Sequence, residues 1–97
     1  MPKIKINKDH SLPREDLNTR VEDYLVRLRD KEMKMVDFGF IWADDKNSIK
    51  LTGKGFKGAV TLTDSNVDIF VDMGILLAPM KGMVEDGLKK GLDSYLK

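Results

Sequence analysis

Residues 38–72, FGFIWADDKNSIKLTGKGFKGAVTLTDSNVDIFVD, fall into four runs in which apolar and polar side chains alternate. Phe38, Phe40 and Trp42 share one face of the first run, and Ile49 and Leu51 one face of the second. Phe56, Gly58, Val60 and Leu62 share a face of the third, and Val67, Ile69 and Val71 of the fourth. A period of two is the signature of a strand with one covered face. Asp44-Asp45-Lys46-Asn47, Gly53-Lys54-Gly55 and Asp64-Ser65-Asn66 separate the runs with turn-forming residues. Short turns between consecutive alternating strands predict an antiparallel meander, dry on one face and wet on the other.

The flanks supply the cover for the dry face. Upstream, Ile4 and Ile6 alternate with Lys3, Lys5 and Asn7, which predicts a short strand. A helix follows from about Pro13 to about Lys31. Proline suits a first helical turn, and Glu15 and Asp16 stand where the helix dipole favours negative charge. Leu17, Val21, Tyr24, Leu25 and Leu28 make one apolar stripe along it. Downstream, Pro79 marks the start of a second helix, with Met80, Met83, Val84, Gly87, Leu88, Gly91, Leu92 and Tyr95 on its apolar side. Glu85 with Lys89 and Asp86 with Lys90 have the spacing and polarity of favourable surface pairs. Gly82, Gly87 and Gly91 weaken this helix and predict that something packs closely against it. The order β-α-β-β-β-β-α predicts an α+β domain spanning 1–97: a four- to five-stranded antiparallel sheet with two helices on one face.

With 97 residues, 41% hydrophobic and 34% charged, the chain has the composition of an ordinary globular domain. A net charge of +1 exerts no global pull on nucleic acid or anionic membrane. There is no cysteine, so disulfides, thiolate metal sites and a cysteine nucleophile are excluded together. The start Met1-Pro2-Lys3-Ile4-Lys5-Ile6 lacks a signal-peptide core, and the apolar run near Ile75 is far shorter than the roughly 20 residues of a membrane span. A cytoplasmic protein without a membrane span is the expectation.

Motifs of chemistry are sparse. His10 is the only histidine and sits in a turn before a helix, where a local hydrogen-bonding role is the ordinary one. It has no nucleophile or second carboxylate at catalytic spacing. No metal-ligand spacing occurs, and Asp44, Asp45 and Asn47 do not follow a calcium-loop pattern. Ser11, Ser48, Ser65 and Ser94 carry no nucleophile-elbow pattern. Gly53-Lys54-Gly55-Phe56-Lys57-Gly58 precedes a strand, whereas a phosphate-binding loop precedes a helix. Lys50, Thr52, Lys54, Lys57 and Thr61 give the wet face some basic character, but only Phe70 stands among them for stacking, so no nucleic acid partner is expected. The expectation is a non-enzyme with no cofactor and no metal.

One segment stands apart. In Gly74-Ile75-Leu76-Leu77-Ala78-Pro79-Met80-Lys81-Gly82-Met83, three large aliphatics are consecutive. They cannot all face inward on one strand or helix, and Met80 and Met83 add adaptable apolar surface. Ile75, Leu76, Leu77, Met80 and Met83 are therefore the candidate contact for a polymer or a protein partner.

This segment, the opening Met1-Pro2-Lys3-Ile4-Lys5-Ile6 with His10-Ser11-Leu12, and the run of short strands resemble the small bacterial polyhydroxyalkanoic acid system proteins. Family members often carry an arginine where this chain has Ala78. The resemblance implies a role in storing polyhydroxyalkanoate, a polyester held in cytoplasmic granules, with a granule or a granule protein as partner. It transfers no catalytic residue. Two expectations follow. In the first, the Ile75–Met83 segment holds a non-enzymatic accessory protein on the granule. In the second, element order similar to the helix-grip folds makes the protein a small carrier of an apolar ligand. Its cavity would then lie among Phe38, Phe40, Trp42, Phe56, Val60, Val84 and Leu88. Exposed sheet edges and the apolar segment need cover, which a homodimer supplies as well as a monomer's own packing.

Overall fold

A computed structural model describes residues 3–34 and 37–96, apart from the side chain of Leu76. Strand β1 spans Lys3–Asp9, helix α1 Arg14–Arg27, and strands β2 to β5 Gly39–Trp42, Ser48–Gly53, Phe56–Leu62 and Asn66–Met73. Helix α2 spans Lys81–Tyr95. The five strands form one antiparallel sheet in the order β1-β5-β4-β3-β2. The meander pairs each strand with the next, and β1 closes the far edge against β5, with Ile4 opposite Val71 and Ile6 opposite Ile69. The expected α+β architecture is the observed one.

Alternation sets the burial. Ile4, Ile6, Ile49, Leu51, Val60, Leu62, Val67, Ile69, Val71 and Met73 are buried on the inner face. On α1, Leu17, Val21, Tyr24 and Leu25 are buried at helical spacing, each large aliphatic stabilising the fold by about 1.5–3 kcal/mol. Gly58 is required by close approach: a Cβ there would overlap the Phe70 carbonyl oxygen of β5. Gly55 takes φ +83° in the β3–β4 turn, a conformation that suits glycine alone.

Three features depart from the sequence-based expectation. Helix α1 ends at Arg27 and continues as a single wide, π-type turn over Leu28–Glu32. Pro79 lies inside a 3-10 segment, Ile75–Met80, and α2 begins at Lys81. The 3-10 segment starts at once because Gly74 is tied to the β3–β4 turn, its N–H donating to the Gly55 carbonyl at 2.6 Å. Neither Glu85–Lys89 nor Asp86–Lys90 forms an ion pair within 4 Å; exposed pairs of this kind contribute little.

The helices share the inner face unequally. Helix α1 lies toward β2 and β3: the Trp42 Nε1–H donates to Glu22 at 3.1 Å, and the Arg29 guanidinium lies 5.5 Å from the centre of the Phe40 ring. Helix α2 lies toward β1, where the Lys8 ammonium meets Asp93 at 2.6 Å. At the opposite end of α1, Arg14 binds the Asn47 side chain at 2.8 Å and the Lys46 carbonyl at 3.1 Å, and reaches Asp64 at 3.4 Å. One arginine thereby joins the helix start to two strand turns.

Candidate functional site: an apolar cavity between the helices

Helix α2 is docked most tightly along its C-terminal half, while Val84 and Leu88 earlier in it are half-buried against the core. Leu92 and the following Leu96 are buried, and Tyr95 packs on Tyr24 with ring centres 5.1 Å apart. Gly91 allows this: a Cβ on it would lie 2.5 Å from Tyr24 Cε1 and nearer still to Cζ and the hydroxyl. One turn earlier, a Cβ on Gly87 would meet nothing within 4 Å, and the same is true of Gly82. The close packing expected of all three glycines therefore holds at Gly91 alone. The helices touch at Tyr24 and Gly91, and toward the N-terminus of α2 only Val84 and Leu88 reach the core.

The space left is a cavity of about 920 Å³. Its floor is the inner face of the sheet, with Leu51, Phe56, Val60, Ile69, Val71 and Met73. Phe38 adds to it, stacked on Phe56 at 6.1 Å. Tyr24, Leu25 and Leu28 form the α1 wall, and Val84, Gly87, Leu88 and Gly91 the α2 wall. Met33, Leu77, Met80 and Met83 complete the lining at the end where α2 begins. Leu77 is half-buried and lies against Gly55, where an added Cβ would be 3.2 Å from its Cδ1.

Of the sequence-named cavity residues, Phe38, Phe56, Val60, Val84 and Leu88 lie together around this space. Phe40 and Trp42 share the inward parity but are not among its walls. They lie on the edge strand β2, covered by Arg29 and by Glu22 with the Lys46 ammonium 5.6 Å from the Trp42 ring. Sequence reasoning missed the α1 wall and the inward faces of β3 and β5 as cavity residues. Apolar periodicity marks a covered face without saying whether it is filled.

The contact segment divides. Ile75 is 80% exposed, Met83 65% and Met80 43%, whereas Leu77 packs inward. The side chain of Leu76 lies outside the described residues. Met80 and Met83 are both part of the cavity wall and of the outer surface, so they form its lip.

Polar groups gather on the helical side. Arg27, Glu32, Lys90, Ser94 and Tyr95 also line the cavity. Arg27 Nε stands 3.8 Å from Glu32. Tyr24 is 3% exposed and its hydroxyl has no hydrogen-bond partner. Burial, reinforced by the negative charge of Glu32 and by Tyr95, pushes that hydroxyl well above the ordinary tyrosine range, so it stays protonated as a donor. His10 is occupied elsewhere. Its Nδ1 accepts from the Leu12 N–H at 3.1 Å, which leaves Nε2–H to donate to the Thr63 carbonyl at 2.9 Å. The ring is a local brace between β1 and the β4–β5 turn. Among the described residues, no three histidines or acids group to hold a metal, and no helix is long and apolar enough to cross a membrane.

Fold and site together define a small α+β domain with an apolar cavity held between two helices and a sheet. The chain belongs to the polyhydroxyalkanoic acid system family: the family model described as "Putative polyhydroxyalkanoic acid system protein" matches residues 4–96. No curated protein matches the sequence. The crystal structure of TTHA0849 from Thermus thermophilus is similar in fold, with a TM-score of 0.50 over 98% of this chain and 92% of that one. At 12% identity the likeness concerns architecture alone.

Proposed function

We propose that the protein is a non-enzymatic binding protein of the polyhydroxyalkanoate storage system, and that it carries an aliphatic acyl chain in the space between α1, α2 and the sheet. The observation that supports this reading is the cavity itself. At about 920 Å³ it lies within the range of small-molecule sites, and its floor is apolar throughout. Family membership supplies the chemical context, polyhydroxyalkanoate, a polyester of hydroxyacyl units.

The test is displacement of a fluorescent acyl probe. A Gly87→Trp replacement places an indole where no protein atom stands within 4 Å of a Cβ. It should abolish binding while the circular dichroism and the unfolding midpoint persist. Binding unchanged in a folded Gly87→Trp protein would refute the assignment of the cavity.

A second reading concerns the lip. The exposure of Ile75, Met80 and Met83 favours an apolar contact with the granule or a granule protein, each side chain gaining roughly 1.5–3 kcal/mol on full burial. Leu76 belongs to this proposed contact by sequence. Ile75→Ser with Met83→Ser should remove co-sedimentation with granules. Leu77 is left intact because it packs against Gly55. Retained co-sedimentation would dismiss the contact. A homodimer would show as a sedimentation mass twice that of the chain and as loss of lip exposure.

A further inference from the structure

We infer that the chain taken up ends in a carboxylate, held at the helical rim of the cavity by Arg27 and Lys90. This rests on the reading of the cavity as an acyl-chain site and names the head group of its ligand.

The wall chemistry is uneven. Every sheet residue of the lining is aliphatic or aromatic, and every charged one is carried by the helical side. Two of the three are cations, Arg27 and Lys90, against the single acid Glu32. Both cations are placed by the same contact. Tyr24 meets Gly91; Arg27 follows Tyr24 by about one turn of α1, and Lys90 directly precedes Gly91 on α2. Arg27 and Lys90 thus stand near the meeting point, one on each helix, at the exposed rim of the cavity.

Their own partners are few. Arg27 presents only its Nε to Glu32, at the long distance of 3.8 Å, and its terminal amino groups take part in no ion pair among the described residues. Lys90 forms no ion pair within 4 Å there, Asp86 included. Two cationic donors at the rim of an apolar hollow complement a ligand with one anionic, acceptor-only end and a hydrocarbon remainder. A neutral ester would bring carbonyl acceptors but no charge to answer the two cations. The recognised class is thus a free aliphatic acid, as an unesterified hydroxyacid is, rather than the ester-linked polymer.

Calorimetric titration with decanoate and with methyl decanoate at low ionic strength tests this. The acid should bind at least about tenfold more tightly than its ester, the size expected for hydrogen bonds to a charged group. Lys90→Met should weaken decanoate about tenfold while leaving methyl decanoate unchanged, and added salt should weaken the acid only. Arg27→Met should weaken decanoate several-fold in a protein whose unfolding remains cooperative. Equal binding of acid and ester, or equal loss of both in Lys90→Met, would overturn the head-group assignment and leave the acyl-chain reading standing. Failure of the wild-type protein to bind either compound would overturn both.

Discussion

Two glycines one turn apart on α2 should respond oppositely to the same replacement. Alanine at either position gains helix propensity, about 1 kcal/mol. At Gly87 nothing opposes the gain, because the added methyl meets no atom within 4 Å. Gly87→Ala should therefore stabilise the protein by about 0.5–1 kcal/mol. At Gly91 the methyl would fall 2.5 Å from Tyr24 Cε1, closer than real contacts allow. The ring cannot yield freely: it is buried and packed on Tyr95 at 5.1 Å. It must leave that stack or swing into the cavity, and overpacking of this kind costs about 1–3 kcal/mol. Because the propensity gain is common to both variants, the difference between them isolates the steric cost, again about 1–3 kcal/mol. Urea unfolding reads it as a difference in midpoint at constant slope. Thermal midpoints should differ in the same sense, by about 4–8 °C for each kcal/mol. Equal stabilisation by the two alanines would show that Tyr24 is not held against Gly91, and the convergence of the helices at that point would be wrong.

The Tyr24 hydroxyl is buried and unpartnered, so Tyr24→Phe should stabilise the protein without added ligand by about 1 kcal/mol, measured by urea unfolding at pH 7. The same residue sets an alkaline limit. Its folded-state pKa is raised by burial, then by Glu32 and Tyr95. Its contribution is thus whole below the unfolded value near 10 and is lost as pH rises beyond it. Tyr24→Phe should flatten the fall in stability above about pH 10, and identical profiles would contradict this. Gly58→Ala should destabilise by about 1–3 kcal/mol or more, since its Cβ would overlap the Phe70 carbonyl of the neighbouring strand. A midpoint within error of wild type would exclude that close approach. An acyl ligand at a hundredfold excess over its Kd should add about 2.7 kcal/mol of stability, read as a thermal shift absent from Gly87→Trp.

The sheet was legible because each strand from β3 to β5 carries an inward apolar series at period two, bounded by turn residues, which leaves one register that buries Ile49, Val60, Val67 and Ile69 together. The wide turn at Leu28–Glu32 was not legible. Its residues, LRDKE, are ordinary helix formers, and only the position of the wall they help to build distinguishes them. Pro79 read as a helix start because proline suits a first turn, but it equally suits the tighter 3-10 segment that follows Gly74. The cavity was the least legible part. The spacing of Val84 and Leu88 identifies an inward side of α2 without fixing the distance to the sheet. Phe40 and Trp42 show the converse. Inward parity on β2 brings them beneath α1, and strand order, which no local pattern encodes, keeps them from the hollow.

That distance is where folding and binding oppose each other. A small domain has little apolar surface to leave unpacked, and closing α2 onto the sheet would bury Val84, Leu88 and Met83 more fully. The structure shows what prevents it. The C-terminal half of α2 is fixed by Leu92 and Leu96 in the core, by Tyr95 on Tyr24 and by Asp93 on Lys8. The segment before it is fixed by Gly74 on Gly55 and by Leu77 on the same turn. With both ends held, the helix reaches the core in between only through the half-buried Val84 and Leu88. Gly87 sits in that span without a neighbour, at a cost of about 1 kcal/mol relative to alanine, and the Tyr24 hydroxyl lacks an acceptor at a cost of about 1–3 kcal/mol. Both costs fall on walls of the same hollow. An acyl chain bound there, with its carboxylate at the helical rim, adds stability of the same magnitude. Gly87 weakens α2 yet leaves that stretch of wall without a side chain, which is the room a chain between the helices needs.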